Sequence, residues 1–142
     1  MERIRVLMVD DNQAFLEAAA NLLADDPMID VVEKLRSPKK ALHSIAILRP
    51  DVVLLEFEMP EMSGLLLTIH LKAMMEYPLK VVIVTDHDEP IYQNLARAVQ
   101  VDAFVSKRMF HAMAVPTIKW LVANQNANRS DSAMGERESV IW

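Results

Sequence analysis

The sequence predicts an α/β fold, a doubly wound parallel sheet of five strands with helices on both faces. Short apolar runs alternate with segments of helical periodicity five times between Ile4 and Val122, the pattern of strand–helix units. Two runs, Val52 to Leu55 and Val81 to Val84, contain no polar residue, as strands buried on both faces require. Four runs close on residues able to do chemistry: Asp10-Asp11, Glu56, Thr85 and Lys107.

Ile4 to Val9 form the first strand, apolar apart from Arg5, and Asp10-Asp11-Asn12 follow with side chains suited to turns and helix caps. The first helix spans Gln13 to Ala24, with Phe15, Leu16, Ala19, Leu22 and Leu23 on one stripe. Ile29 to Leu35 read as a second, more polar strand at an edge. Ser37 caps a second helix with Pro38 in its first turn, and Pro50 stops it. Val52 to Leu55 are the central strand, ending in Glu56, and Phe57 to Ser63 make the loop after it. The third helix runs from Gly64 to Glu76, and Tyr77-Pro78 end it. After the strand Val81 to Val84, Asp88 is placed to cap a fourth helix that reaches Gln100. Val101 to Val105 give a short fifth strand. In the last helix Pro116 is comfortable only in the first turn, which predicts a start near Ala112 or a kink.

Right-handed crossovers leave few topologies for such a chain. The flavodoxin-like order 2-1-3-4-5 puts the first and third strands side by side, where open α/β sheets bind their ligands. Asp10, Asp11, Glu56, Thr85 and Lys107 then share one crevice. Carboxylates gathered this way repel one another unless a cation or proton intervenes. Hard oxygen donors with water completing the shell suit Mg²⁺ rather than zinc, and a hydroxyl and an ammonium opposite could hold a phosphoryl group. With glycine only at Gly64 and Gly135, a P-loop or dinucleotide fingerprint is excluded.

Composition sets further bounds. A chain of 142 residues, 52% hydrophobic and 25% charged, suits one domain with a full core. The net charge of −5 offers no attraction to nucleic acid or anionic membrane. There is no cysteine, which removes disulfides and thiolate chemistry. No apolar run reaches the roughly 18 residues of a membrane span, and the first residues lack a signal-peptide pattern, so a cytoplasmic location is expected.

The segment Glu56-Phe57-Glu58-Met59-Pro60-Glu61-Met62-Ser63-Gly64 resembles the phosphoacceptor segment of response-regulator receiver domains, Asp-x-x-Met-Pro-x-Met-x-Gly. Every element is present except the first, where Glu56 stands for the phosphorylated Asp. Val6-Leu7-Met8-Val9-Asp10-Asp11-Asn12 is similar to the receiver acidic pair. The resemblance covers Arg3 to Val122 and implies a non-enzymatic part in two-component signalling. It implies Mg²⁺ held by Asp11 directly and by Asp10 through water, with Glu56 and the backbone carbonyl of Glu58 completing the protein donors. It makes Thr85 the switch hydroxyl, Lys107 the phosphate-pairing lysine and Phe104 the switch aromatic. The implied partners are a histidine kinase or phosphotransfer protein and a downstream protein. That protein, or a second copy making a homodimer, would meet the face of the fourth helix, fifth strand and fifth helix. Trp120, off the apolar stripe of its helix, marks the same face.

Three departures from the family pattern bear on function. Glu56 carries its carboxylate about 1.5 Å, one carbon–carbon bond, beyond an Asp. Asp86 follows Thr85 where receivers have a small residue, adding repulsion toward an incoming phosphoryl donor. Arg108 follows Lys107 where many receivers have Pro. The sequence therefore supports a receiver altered at its acceptor, with Glu56 as a weak mimic of the phosphorylated state. The alternative is a phosphorylation-independent pseudo-receiver, an interaction module. An enzyme or FMN carrier on the same fold is the remaining class, and the paired acids after the first strand oppose FMN. The four histidines show no ligand spacing, although His87 stands near the crevice, placed to gate water. Residues 1–123 form the receiver and 124–142 a polar tail ending in Val140-Ile141-Trp142, expected to be flexible or to dock. Such a tail is too short for a DNA-binding output domain.

Overall fold

A computed structural model describes residues 2–125; the docking expected of Val140-Ile141-Trp142 concerns a segment outside the described residues. The elements are β1 (Ile4–Val9), α1 (Gln13–Ala24), β2 (Ile29–Leu35), α2 (Pro38–Leu48), β3 (Val52–Leu55), α3 (Gly64–Met74), β4 (Lys80–Thr85), α4 (Pro90–Ala98), β5 (Ala103–Ser106) and α5 (Phe110–Ala123). The sheet order is β2-β1-β3-β4-β5 and every pairing is parallel.

Alternation along the strands sorts side chains into two cores. Val6, Met8, Val52, Leu54, Val82 and Val84 pack under α1 and α5, against Leu16, Leu23, Ile118 and Leu121. Leu7, Val9, Val53, Leu55, Val81 and Ile83 face the other way and meet Ile45 of α2, Leu67 and Leu71 of α3 and Ala96 of α4. Each such aliphatic side chain contributes about 1.5–3 kcal/mol when buried. The three inner strands are therefore fixed from both sides, and the half-buried β2 lies at the edge.

Side chains cap the helices that lead away from the strand ends. Asn12 accepts the Phe15 N–H at the start of α1, Ser37 the Lys40 N–H at α2 and Ser63 the Leu66 N–H at α3. Asp88 does not cap α4. Glu89 is the N-cap residue there and makes no side-chain cap bond, while the Asp88 carboxylate pairs with Arg108. The last helix starts at Phe110, two residues before Ala112, after a 3₁₀ turn over Lys107–Met109. Buried Phe110 anchors that turn edge-on to Phe15, 5.4 Å away. Pro116 then falls inside α5, where it leaves the carbonyl of exposed Ala112 without its helical donor.

Candidate functional site

Parallel strands put their carboxyl ends together, so the residues that follow β1, β3 and β5 meet in one crevice. Lys107 sits at its centre. Its Nζ lies 2.8 Å from Asp10 Oδ2 and 2.9 Å from Glu56 Oε1, so one ammonium joins the two strand-end acids. The face of Phe15 lies 4.4 Å from the same nitrogen, a cation–π contact. The three charged side chains are nearly dry, 10% exposed for Lys107, 4% for Asp10 and 9% for Glu56.

Each acid has a second set of partners. Asp10 Oδ1 accepts the Asn12 N–H at 2.8 Å. Glu56 Oε2 accepts the N–H groups of Phe57 at 2.5 Å and Glu58 at 3.2 Å. Its longer side chain thus curls back onto its own loop while the other oxygen holds Lys107. Burial pushes the Asp10 carboxyl above its usual range, and the bonds from Lys107 and Asn12 offset part of that. Burial opposes the Lys107 charge, but the bonds to Asp10 and Glu56 outweigh it and hold the ammonium above the usual lysine value. A cavity of about 10 Å³, room for one water molecule, opens beside the pair among Met8, Asp10, Phe15, Leu54, Glu56 and Val84.

The other predicted residues differ in burial and in partners. Thr85 is fully buried and its Oγ1 accepts the His87 N–H at 3.3 Å. Phe104 is half-buried against the core beneath α2, α3 and α4. Asp11 is partly exposed, with its carbonyl on Arg36 Nε at 3.1 Å, and Asp86 is exposed. The Glu58 carboxylate turns outward to His87 Nε2, 3.3 Å away. Hard oxygen donors are present, as Mg²⁺ prefers. Yet among the described residues no three His, Asp or Glu side chains form a group that could hold a metal ion. Lys107 stands where a cation would neutralise Asp10 and Glu56.

Three contacts were invisible in the sequence. Phe15 reads there only as part of a core stripe, and nothing local signals that its ring floors the lysine. The pairs His87–Glu58 and Arg108–Asp88, the latter at 2.6 Å, join loops far apart in the chain.

The chain matches the response regulator receiver domain family over residues 6–115. A protein-glutamate methylesterase/protein-glutamine glutaminase of Geobacillus kaustophilus is 38% identical over 109 residues, covering 75% of this chain and 31% of that protein. The Nocardioides protein of the same description is 45% identical over 65 residues, 46% of this chain and 18% of its own length. The chain thus spans about a third or less of such relatives. The receiver domain of NarL from Mycobacterium tuberculosis superposes with a TM-score of 0.76 at 26% identity, covering 89% of this chain and 98% of that one. The response regulator domain of Thermotoga maritima CheB gives 0.75 at 21% identity, over 84% and 96%, a likeness of fold. The sheet order agrees with those matches, and the chain belongs to the response-regulator receiver domain family.

Proposed function

We propose that this receiver of two-component signalling is held in one state by Glu56 and acts through protein contacts rather than through ordinary phosphorylation. The observation that carries this is the double engagement of the Glu56 carboxylate, with Lys107 on one oxygen and two loop N–H groups on the other. A phosphoryl group on a shorter Asp would compete for such donors; Glu56 takes them with its own side chain. It supplies a single negative charge, whereas a phosphoryl group carries about 1.5 to 2, so the mimicry is partial. A displacement of about 1 Å costs an in-line transfer on the order of 100-fold, which opposes transfer to Glu56.

Mg²⁺ binding at Asp10 and Asp11 is weak in this reading, because Lys107 already neutralises Asp10 and Glu56; when bound, the ion would screen their charge from an incoming anion. The chain's own part is to bind and orient: Lys107 and the two amides fix the Glu56 carboxylate. The region is non-catalytic, and the methylesterase activity named for its relatives is a property of proteins about two and a half times as long as this chain. No described helix is long and apolar enough to cross a membrane, and we place the protein in the cytoplasm beside a histidine kinase or phosphotransfer partner. The output face comprises α4, β5 and α5, where Ile91, Leu95, Met113 and Trp120 are exposed and β5 pairs on one side only. Either a downstream protein or a second copy would cover it.

Glu56→Asp tests this reading. With a small phosphodonor and Mg²⁺, intact mass should show one added phosphoryl group on the variant and almost none on the unmodified chain. Labelling of the unmodified chain at Glu56 would overturn it. A phosphorylation-independent interaction module is the second reading, favoured by the same satisfied carboxylate. Refusal of label by Glu56→Asp together with Asp86→Ala would select it.

A further inference from the structure

We propose that Phe15 is the positioning residue of Lys107, its ring face holding the ammonium between Asp10 and Glu56. The inference rests on the reading of Glu56 and Lys107 as the pair that sets the state of the site. A lysine ammonium is a point charge on a flexible stem, with three N–H donors to place. Asp10 and Glu56 take two of them, at 2.8 and 2.9 Å. That leaves the third for the face of Phe15, 4.4 Å from the nitrogen. The negative face of a ring attracts a cation more strongly where water is scarce, and the Lys107 side chain is only 10% exposed.

The turn that carries the acid also delivers the ring. Asp10 Oδ1 accepts the Asn12 N–H at 2.8 Å, and Asn12 Oδ1 accepts the Phe15 N–H at 3.0 Å. Asp10 thus fixes the start of α1 with one oxygen and holds Lys107 with the other. Asp10, Asn12, Phe15 and Lys107 close a circuit of contacts, in which each member restrains the next.

Phe110 secures the ring from another side, edge-on at 5.4 Å. It is buried and begins α5 directly after the turn Lys107–Met109. One ring therefore holds both the tip of Lys107 and the chain three residues beyond it. Core packing explains the contact with Phe110; a ring face against a nearly dry ammonium is a further constraint, and it falls on the residue that engages Glu56. Phe15 also lines the water-sized cavity beside the pair, so a smaller side chain there admits more water to the ammonium.

Lysine ammonium protons, followed by nitrogen-edited NMR on the full chain at fixed pH, test this. Lys107→Arg deletes the Lys107 signal and so assigns it. A held ammonium trades its protons with water slowly, and exposed Lys39 and Lys40 serve as fast references. Phe15→Leu keeps an apolar side chain and removes the ring face; we expect exchange at Lys107 about tenfold faster, within what a desolvated cation–π contact supplies. Phe15→Tyr retains the face and should keep exchange slow. A ring-fluorinated phenylalanine in place of Phe15 keeps the shape but drains the face of negative charge. It should speed exchange about threefold while the melting midpoint stays near that of the unmodified chain. Exchange unchanged by Phe15→Leu, or equally slow with the fluorinated and the ordinary ring, would overturn the proposal. Should Phe15→Leu fail to fold, the fluorinated ring decides. Phosphorylation plays no part in this readout, so a Glu56→Asp chain that refuses label leaves it untouched, and unchanged exchange here leaves the labelling result standing.

Discussion

Gly64 lies against the peptide of Glu56 so closely that a β-carbon would fall 2.2 Å from the Glu56 carbonyl oxygen. The Gly64 N–H reaches Phe57 O at 2.7 Å, and its carbonyl accepts the Thr68 hydroxyl at 2.7 Å. The first turn of α3 is therefore built directly onto the end of β3. Close approach, not an unusual backbone angle, makes this position a glycine.

Gly64→Ala must push α3 away from the site or displace the Glu56 carbonyl. A steric change of this size in a packed core costs about 1–3 kcal/mol. Denaturant unfolding should show that loss, and amide shifts should move at Phe57 and Glu58 more than in β2. A variant of unchanged stability and unchanged shifts would mean that the contact is looser than the geometry gives.

Legibility in the sequence followed the range of the interactions. The strands and their order were readable because Val52 to Leu55 and Val81 to Val84 are apolar without interruption and topology rules are few. Asn12, Ser37 and Ser63 act locally, within three residues, and the turns they cap were placed from sequence. Asp88 looked like a cap by the same local rule, and pairs instead with Arg108, a partner 20 residues away. Pro116 alone argues for a start of α5 near Ala112, and the helix begins two residues earlier, where Phe110 is held by Phe15 from the other end of the chain. The cluster of Asp10, Glu56 and Lys107 was foreseen, but its charge balance was not. Whether a cation, a proton or Lys107 itself joins two carboxylates depends on distances that no spacing encodes.

Alkaline titration should weaken the fold in a defined direction. Burial raises the Tyr77 hydroxyl to about 12, against a usual 10.0, and it donates to Pro50 O at 2.8 Å. Between those values the folded protein keeps a proton that the unfolded chain gives up. Stability from this group is therefore complete below pH 10 and lost as pH rises toward 12. Lys107, raised above 10.5, works in the same sense. Unfolding followed from pH 9 to 12 should show a falling midpoint, and Tyr77→Phe should flatten the fall. Equal slopes for the two proteins would remove Tyr77 from the account.

The face proposed for output makes a prediction separable from the site. Trp120 and Met113 are exposed on α5, at 37% and 42%, and Lys119 between them pairs with Asp26 at 2.8 Å. Trp120→Ser and Met113→Ser lie at the surface, where substitutions change stability by about 0.5 kcal/mol or less. They should leave the melting midpoint nearly unchanged while abolishing any self-association measured by sedimentation. Association that survives both changes would place the contact elsewhere, and Leu66 and Ile69 on α3, at 44% and 49% exposure, are then the next face to test.

Removing Lys107 asks most of the site. Its ammonium is the shared partner of Asp10 and Glu56. Lys107→Ala leaves two buried carboxylates facing each other, and breaking a buried pair from one side costs about 3–5 kcal/mol. The same change empties the position between hard oxygen donors, so Mg²⁺ should bind the variant more tightly than the unmodified chain and recover part of the loss. Asp10→Asn in the same chain removes one of the two charges and should restore stability without metal, while abolishing the Mg²⁺ response. Melting curves with and without millimolar Mg²⁺ separate these outcomes. If Lys107→Ala melts like the unmodified protein, the ammonium is not what balances the acids. If it is destabilised yet indifferent to Mg²⁺, Asp10 and Glu56 do not form part of a magnesium site, and the metal role falls to Asp11 and the Glu58 carbonyl alone.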